Sequence, residues 1–126
     1  MFIACATFPK GFATGIHNHA TQAIIGVWAG HEDNRLYQSA REGIVSCGTR
    51  RVDTGGVLSL GPDAIHDVHA PAARWSGALH VYLADITALD RDEWLDPGRP
   101  ATRFDGVELE RRWLDAAEST GLVVQR

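Results

Sequence analysis

Apolar and polar positions alternate in short bursts along this chain. Residues 2–8, 23–28, 34–38, 44–52, 57–60, 64–69 and 76–84 form β-rich runs at close spacing, and period-two alternation over a few residues marks half-buried strands. The stretches PKG at 9–11, REG at 41–43, DTGG at 53–56, GPD at 61–63 and APAA at 70–73 separate most of them. They supply the Gly, Pro and Asp that sharp reversals need. This rhythm predicts an antiparallel barrel or sandwich. The tail reads differently. In DGVELERRWLDAAESTG, Asp105 is placed as an N-cap with Glu108 as its capping-box partner, Leu109, Trp113 and Ala117 fall at helical spacing, and Gly121 is a stop. The predicted fold class is therefore all-β with one C-terminal α-helix. A barrel occupies 1–90; in 91–126 a loop over 91–104, holding Pro97 and Pro100, leads to a helix packed on the same domain.

Length and composition narrow the class. At 126 residues and 13.7 kDa the chain is one ordinary domain. It is 44% hydrophobic and 22% charged, as in globular proteins, and no apolar run approaches the roughly 18 residues of a membrane span. The net charge of −4, with basic residues only in short pairs such as Arg50–Arg51 and Arg111–Arg112, argues against a nucleic-acid partner and for a small molecule. Cys5 and Cys47 read as two free thiols, and MFIACATFPK lacks the basic and apolar segments of a signal peptide. A reducing cytoplasm is the expectation.

The histidines carry the chemistry. There are six, at 17, 19, 31, 66, 69 and 80. On a strand, residues i and i+2 share a face, so His17 and His19 can present two imidazoles to one metal ion. Taken alone, such a pair is more often two surface or hydrogen-bonded side chains than a metal site.

Its surroundings resemble the first motif of the cupin superfamily, in which Gly, five residues, His-x-His, three or four residues, Glu, six residues and Gly follow one another. Gly11, His17, His19 and Gly30 fall in place, and Ala23 stands where the Glu belongs. The second motif is weaker: GPDAIH keeps only His66, with Gly61 and Asp63 where Pro and Gly are usual. The set HxH, IHDV and LHVY, with GHEDNRLY after Gly30, is similar to the cysteine dioxygenase-like group of thiol dioxygenases over roughly residues 5–90. That group, like some carbon–carbon cleaving dioxygenases, uses three histidines without the acid.

The resemblance implies a small cupin jelly-roll barrel, a double-stranded β-helix, in which His17, His19 and His66 bind Fe(II) and leave positions open for substrate and O2. A shell without carboxylate keeps the full +2 charge and favours a thiolate ligand. The implied activity is non-haem Fe(II)-dependent oxidation of a small thiol to a sulfinic acid. Diketone-like cleavage, or a non-catalytic metal- or ligand-binding cupin, stands as the alternative. His80 and Tyr82 match the group's catalytic outer pair, although its Ser-x-His-x-Tyr relay becomes Ala78, His80, Tyr82. Neither cysteine is placed for the Cys–Tyr thioether of animal members, so no protein-derived cofactor is expected.

The remaining candidates are less pointed. His69, three residues from His66, is the rival candidate for the third ligand, but without a bulge it faces the other side of a strand and reads as exposed near a turn; His31 reads as solvated in a hairpin loop. Gln22 is a candidate substrate-binding residue or a plain polar strand position. The group's substrate-carboxylate Arg, which precedes the HxH pair, has no counterpart among the first sixteen residues. Lys10, Arg35 and Arg74 are the substitutes, each also readable as a surface charge. FIACATF is an edge-strand candidate for a homodimer.

Overall fold

A computed structural model describes residues 1–122. Among these residues ten strands and one helix succeed one another: β1 Phe2–Phe8, β2 Ile16–His17, β3 Ala23–Ala29, β4 His31–Ser39, β5 Ile44–Asp53, β6 Val57–Leu60, β7 Ile65–His69, β8 Ser76–Tyr82, β9 Asp92–Trp94, β10 Thr102–Arg103 and α1 Gly106–Ser119. The strands form two antiparallel sheets, ordered β1-β8-β3-β6 and β10-β9-β2-β7-β4-β5. The chain passes repeatedly from one sheet to the other, as in a jelly roll. No helix among the described residues is long and apolar enough to cross a membrane.

Alternation decides which side chains enter the barrel. In β3, Ala23, Ile25 and Val27 are buried while Ile24 and Trp28 face outward. The three inward residues join Val52, Leu58, Leu60 and Ala78 in one apolar cluster. Truncating a fully buried member such as Ile25 to Ala costs about 2–5 kcal/mol, because the lost methylenes leave a cavity as well as a transfer penalty.

The strand from His31 corrects one expectation. β4 begins directly after Gly30, and His31 pairs with Asp53 of β5 rather than lying in a hairpin loop. β3 and β4 belong to different sheets, so Gly30 is a corner and not a hairpin turn. Its φ of 68° suits glycine, and a Cβ there would lie 2.8 Å from the Trp75 carbonyl oxygen.

The segment 91–104 is also more than a loop. β9 pairs with β10 and with β2, extending the six-stranded sheet past the HxH segment. The helix follows as predicted: Asp105 accepts from the Glu108 amide at 3.0 Å, and Gly121 has φ 87°. Only half of the capping box forms, because the Glu108 carboxylate accepts from Arg111 instead of turning back to Asp105. Leu109, Trp113 and Ala116 pack on a second cluster of Phe8, Phe12, Val68 and Ala70. Trp113 Nε1 donates to the Thr7 carbonyl at 2.6 Å, which fixes the helix against β1 at the edge of the smaller sheet. Cys5 and Cys47 are free and exposed.

Candidate functional site

His17 and His66 sit directly opposite each other where β2 pairs with β7. His19 lies beyond the two-residue β2, so same-face alternation along a strand does not by itself aim it. Two other features do. Asn18 turns the opposite way, taking the Asp92 amide on its Oδ1 at 2.9 Å while its own amide donates to the Asp92 carbonyl. The chain then bends at Ala20, the non-glycine residue with positive φ, 55°. Asn18 was an unremarked x in the sequence; its task is visible only when β9 is alongside.

The three imidazoles converge. His17 Nε2 is 3.2 Å from His19 Nε2, and His66 Nε2 is 3.3 Å from the same atom. All three rings are buried. His17 Nδ1 donates to the Gly15 carbonyl at 2.9 Å, and His66 Nδ1 donates to Asn34 Oδ1 at 3.0 Å. With their protons on Nδ1, both rings aim an Nε2 lone pair at His19. His19 Nδ1 has no hydrogen-bond partner. At most one of the two Nε2–Nε2 contacts is then a hydrogen bond, and the lone pairs face one another.

Such an arrangement is uncomfortable without a cation and suits one well. Metal–nitrogen bonds of about 2.0–2.1 Å set neighbouring ligand nitrogens roughly 2.8–3.0 Å apart in octahedral and roughly 3.3–3.4 Å apart in tetrahedral geometry, and the two separations seen here, 3.2 and 3.3 Å, lie between these values and close to the second. The rings are also in the right protonation state. Burial lowers His17 to about 4; burial, then the neighbouring His17 charge, lowers His19 to about 2. Burial, again aided by its histidine neighbours, holds His66 well below the ordinary value. These are the described His, Cys, Asp and Glu groups clustered tightly enough to hold a metal. Ala23, in the position of the missing acid, is fully buried opposite Tyr82 and adds no oxygen.

A cavity of about 170 Å³ opens on the triad, lined also by Phe8, Val68, His80, Tyr82, Arg91 and Phe104. His80 and Tyr82 share the inward face of β8, with His80 Nδ1 3.1 Å from the Tyr82 hydroxyl. The Tyr82 ring is 5.3 Å from that of His19. Burial lowers His80 to about 4 and raises Tyr82 above the usual phenol value, so both are neutral near pH 7.

The other sequence candidates go elsewhere. His69 points outward and lies 2.6 Å from Arg35 Nη2, and Arg35 also forms a two-pronged pair with Asp67. Gln22 does not line the cavity: it precedes inward-facing Ala23, so alternation turns it out to donate to Ser59 Oγ at 2.7 Å. Lys10 is exposed, and Arg74 borders a separate surface depression with His31 and Asp33. None of Lys10, Arg35 and Arg74 lines the cavity at His17, His19 and His66.

Arg91 does, and sequence reading missed it. It stands immediately before β9, lies with its guanidinium carbon 3.6 Å from the centre of the Phe104 ring, and lines the cavity beside His17 and Tyr82. It forms no ion pair among the described residues. The signal available was weak, since one Arg in an apparent loop carries no period and no motif.

No protein-family profile matches the chain, and no curated protein does. Solved structures do. A DMSP lyase from Ruegeria pomeroyi is 18% identical with TM-score 0.54, over 69% of this chain and 40% of that one. A hydroquinone 1,2-dioxygenase from a Sphingomonas species, with 4-hydroxybenzoate bound, is 16% identical with TM-score 0.52, over 64% and 57%. An oxalate oxidase in complex with the substrate analogue glycolate is 14% identical with TM-score 0.53, over 64% and 40%. The chain thus spans about 40 to 57% of the length of these proteins. They are cupin-fold proteins, and the architecture here is a small cupin jelly roll. At such identities the likeness defines the fold, and function has to be argued from the site.

Proposed function

We propose that this protein is a non-haem Fe(II)-dependent dioxygenase that oxidises a small thiol to a sulfinic acid with O2. The observation that carries the reading is the carboxylate-free triad of His17, His19 and His66, three buried neutral imidazoles in which the Nε2 atoms of His17 and His66 lie 3.2 and 3.3 Å from that of His19. His17, His19 and His66 would hold the iron, which would supply a divalent centre able to favour the thiolate form of a substrate and to activate oxygen.

The chain's own residues do the rest. Gly15 and Asn34 hold the tautomers of His17 and His66 through Nδ1, the usual device for fixing a ligating imidazole. Tyr82 presents its hydroxyl to the cavity, and His80 orients that hydroxyl. Phe8, Val68 and Phe104 exclude water from the reacting groups. Arg91 offers a permanent cation to a carboxylate on the substrate. A cavity of about 170 Å³ suits a molecule the size of cysteine or 3-mercaptopropionate.

Anaerobic reconstitution with Fe(II), followed by oxygen-electrode assays with cysteine, 3-mercaptopropionate and cysteamine, tests the reading. Expected are one iron per chain, oxygen uptake with a sulfinic acid product, and loss of both on His66→Ala but not on His69→Ala. Iron at the triad with no uptake from any thiol overturns the thiol assignment. It transfers the case to another oxygenase substrate, such as a diketone, or to a binding role. Edge strand β1 is read as a self-association surface, for which light scattering is expected to report a dimer.

A further inference from the structure

Below the histidines, on the inward face of β4, lies a carboxyl group that the reaction above does not use. Glu32 is 0% exposed. Its Oε1 accepts from Ser76 Oγ at 3.2 Å, its Oε2 has no partner, and no ion pair among the described residues includes it. Asn34, two positions along the same strand and also 0% exposed, shares that face with Cα atoms roughly 7 Å apart. Its Oδ1 holds His66, while its Nδ2 is likewise without a partner. The titratable groups on the inward faces around Glu32 are His66 of β7 and His80 and Tyr82 of β8. β3 and β5 contribute apolar Ala23, Ile25, Val27 and Val52, and the cavity's cation, Arg91, precedes β9 of the sheet that also holds β4.

We infer that Glu32 is the internal counter-ion of the histidine triad: it keeps its proton while the imidazoles stand alone and releases it to solvent when they bind a divalent cation. The inference rests on the metal reading above. Three neutral imidazoles bring no negative charge, so a bound ion keeps its full +2 inside an apolar barrel. The field of that charge favours ionisation of the nearest buried acid that lacks a partner. Burial already holds the Glu32 carboxyl up at about 7, where a modest electrostatic pull empties it. The ligands themselves are deprotonated well below that pH, so they contribute no protons.

The test is calorimetric titration of zinc chloride into metal-free protein at about pH 6.5, in two buffers of different ionisation enthalpy, for wild type and Glu32→Gln. Wild type is expected to release at least about half a proton more than Glu32→Gln does, with the difference gone near pH 8.5, where Glu32 is already ionised. Zinc binding with equal proton release in both proteins overturns the inference while leaving the metal reading standing. No zinc binding to wild type overturns the metal reading itself. If Glu32→Gln does not fold, the infrared difference spectrum of wild type decides: loss of a protonated-carboxyl stretch on zinc addition supports the inference, and an unchanged band overturns it.

Discussion

Asn34 Oδ1 lies 3.0 Å from His66 Nδ1, and this contact determines which nitrogen of His66 faces the other two imidazoles. Replacing Asn34 with Leu removes the acceptor, leaves the Nδ1 proton buried without a partner and frees the ring to adopt the other tautomer. Metal affinity is expected to fall about 10- to 100-fold, measured by competition with a chromogenic chelator, while the far-ultraviolet circular dichroism stays that of the parent.

If the cavity takes the thiols proposed above, Arg91 is expected to separate them by charge. Arg91→Gln removes the cavity's cation, and a charge-assisted hydrogen bond contributes about 1.5–3 kcal/mol. The KM for 3-mercaptopropionate is therefore expected to rise about 10- to 100-fold, with the KM for cysteamine, which has no carboxylate, nearly unchanged. Equal effects on both thiols would show that Arg91 supports the wall of the cavity rather than binding the substrate.

The helix reaches the histidines through Arg112. Its guanidinium donates to the Thr14 carbonyl at 3.0 Å and covers Gly15, where an added Cβ would lie 3.3 Å from Nη2; Gly15 in turn accepts from His17. Arg112→Ala is expected to lower stability by about 1–3 kcal/mol and weaken metal binding about tenfold by loosening His17. Arg112→Lys should restore part of both, as read by urea denaturation and metal titration.

The metal-free protein should be acid-labile, with two opposing contributions. His17 and His80 are lowered to about 4 and His19 to about 2, from 6.5. Between those values the unfolded chain binds more protons, so their contribution is complete above about pH 6.5 and is lost as pH falls toward 4 for His17 and His80 and toward 2 for His19. Glu32 runs the other way. Its carboxyl is raised from 4.5 to about 7, so its contribution is complete below about pH 4.5 and declines as pH rises through 7. That gap corresponds to about 3 kcal/mol at alkaline pH. Denaturation in the presence of chelator should show a maximum near neutrality, and Glu32→Gln should gain stability over wild type above pH 7 but not below pH 5.

Strand existence, the C-terminal helix and the convergence of His17, His19 and His66 were legible from residue order. Alternation and turn chemistry act within a few residues, and the triad was recognised as a spaced pattern. Legibility failed where a side chain's task depends on a strand distant in sequence. His31 looked like a loop residue because nothing local reveals that Gly30 is a corner between two sheets. Residues 91–104 looked irregular because β9 is stabilised by β2, some 75 positions earlier, and not by its own propensities. Arg91 went unnoticed for the same reason, and Gln22 was over-read because the alternation fixed by Ala23 turns it outward.

The chain by itself therefore determined the class of fold, which follows from local periodicity and turn chemistry, and pointed to the candidate histidines through the resemblance of their spacing to the cupin motifs. Tertiary structure alone decided the tautomers of His17 and His66, the cation that faces the cavity, and the burial of Glu32 without a partner. Each of these depends on an acceptor, a ring or a low-dielectric environment supplied by another strand, and those are created only when the two sheets close on each other.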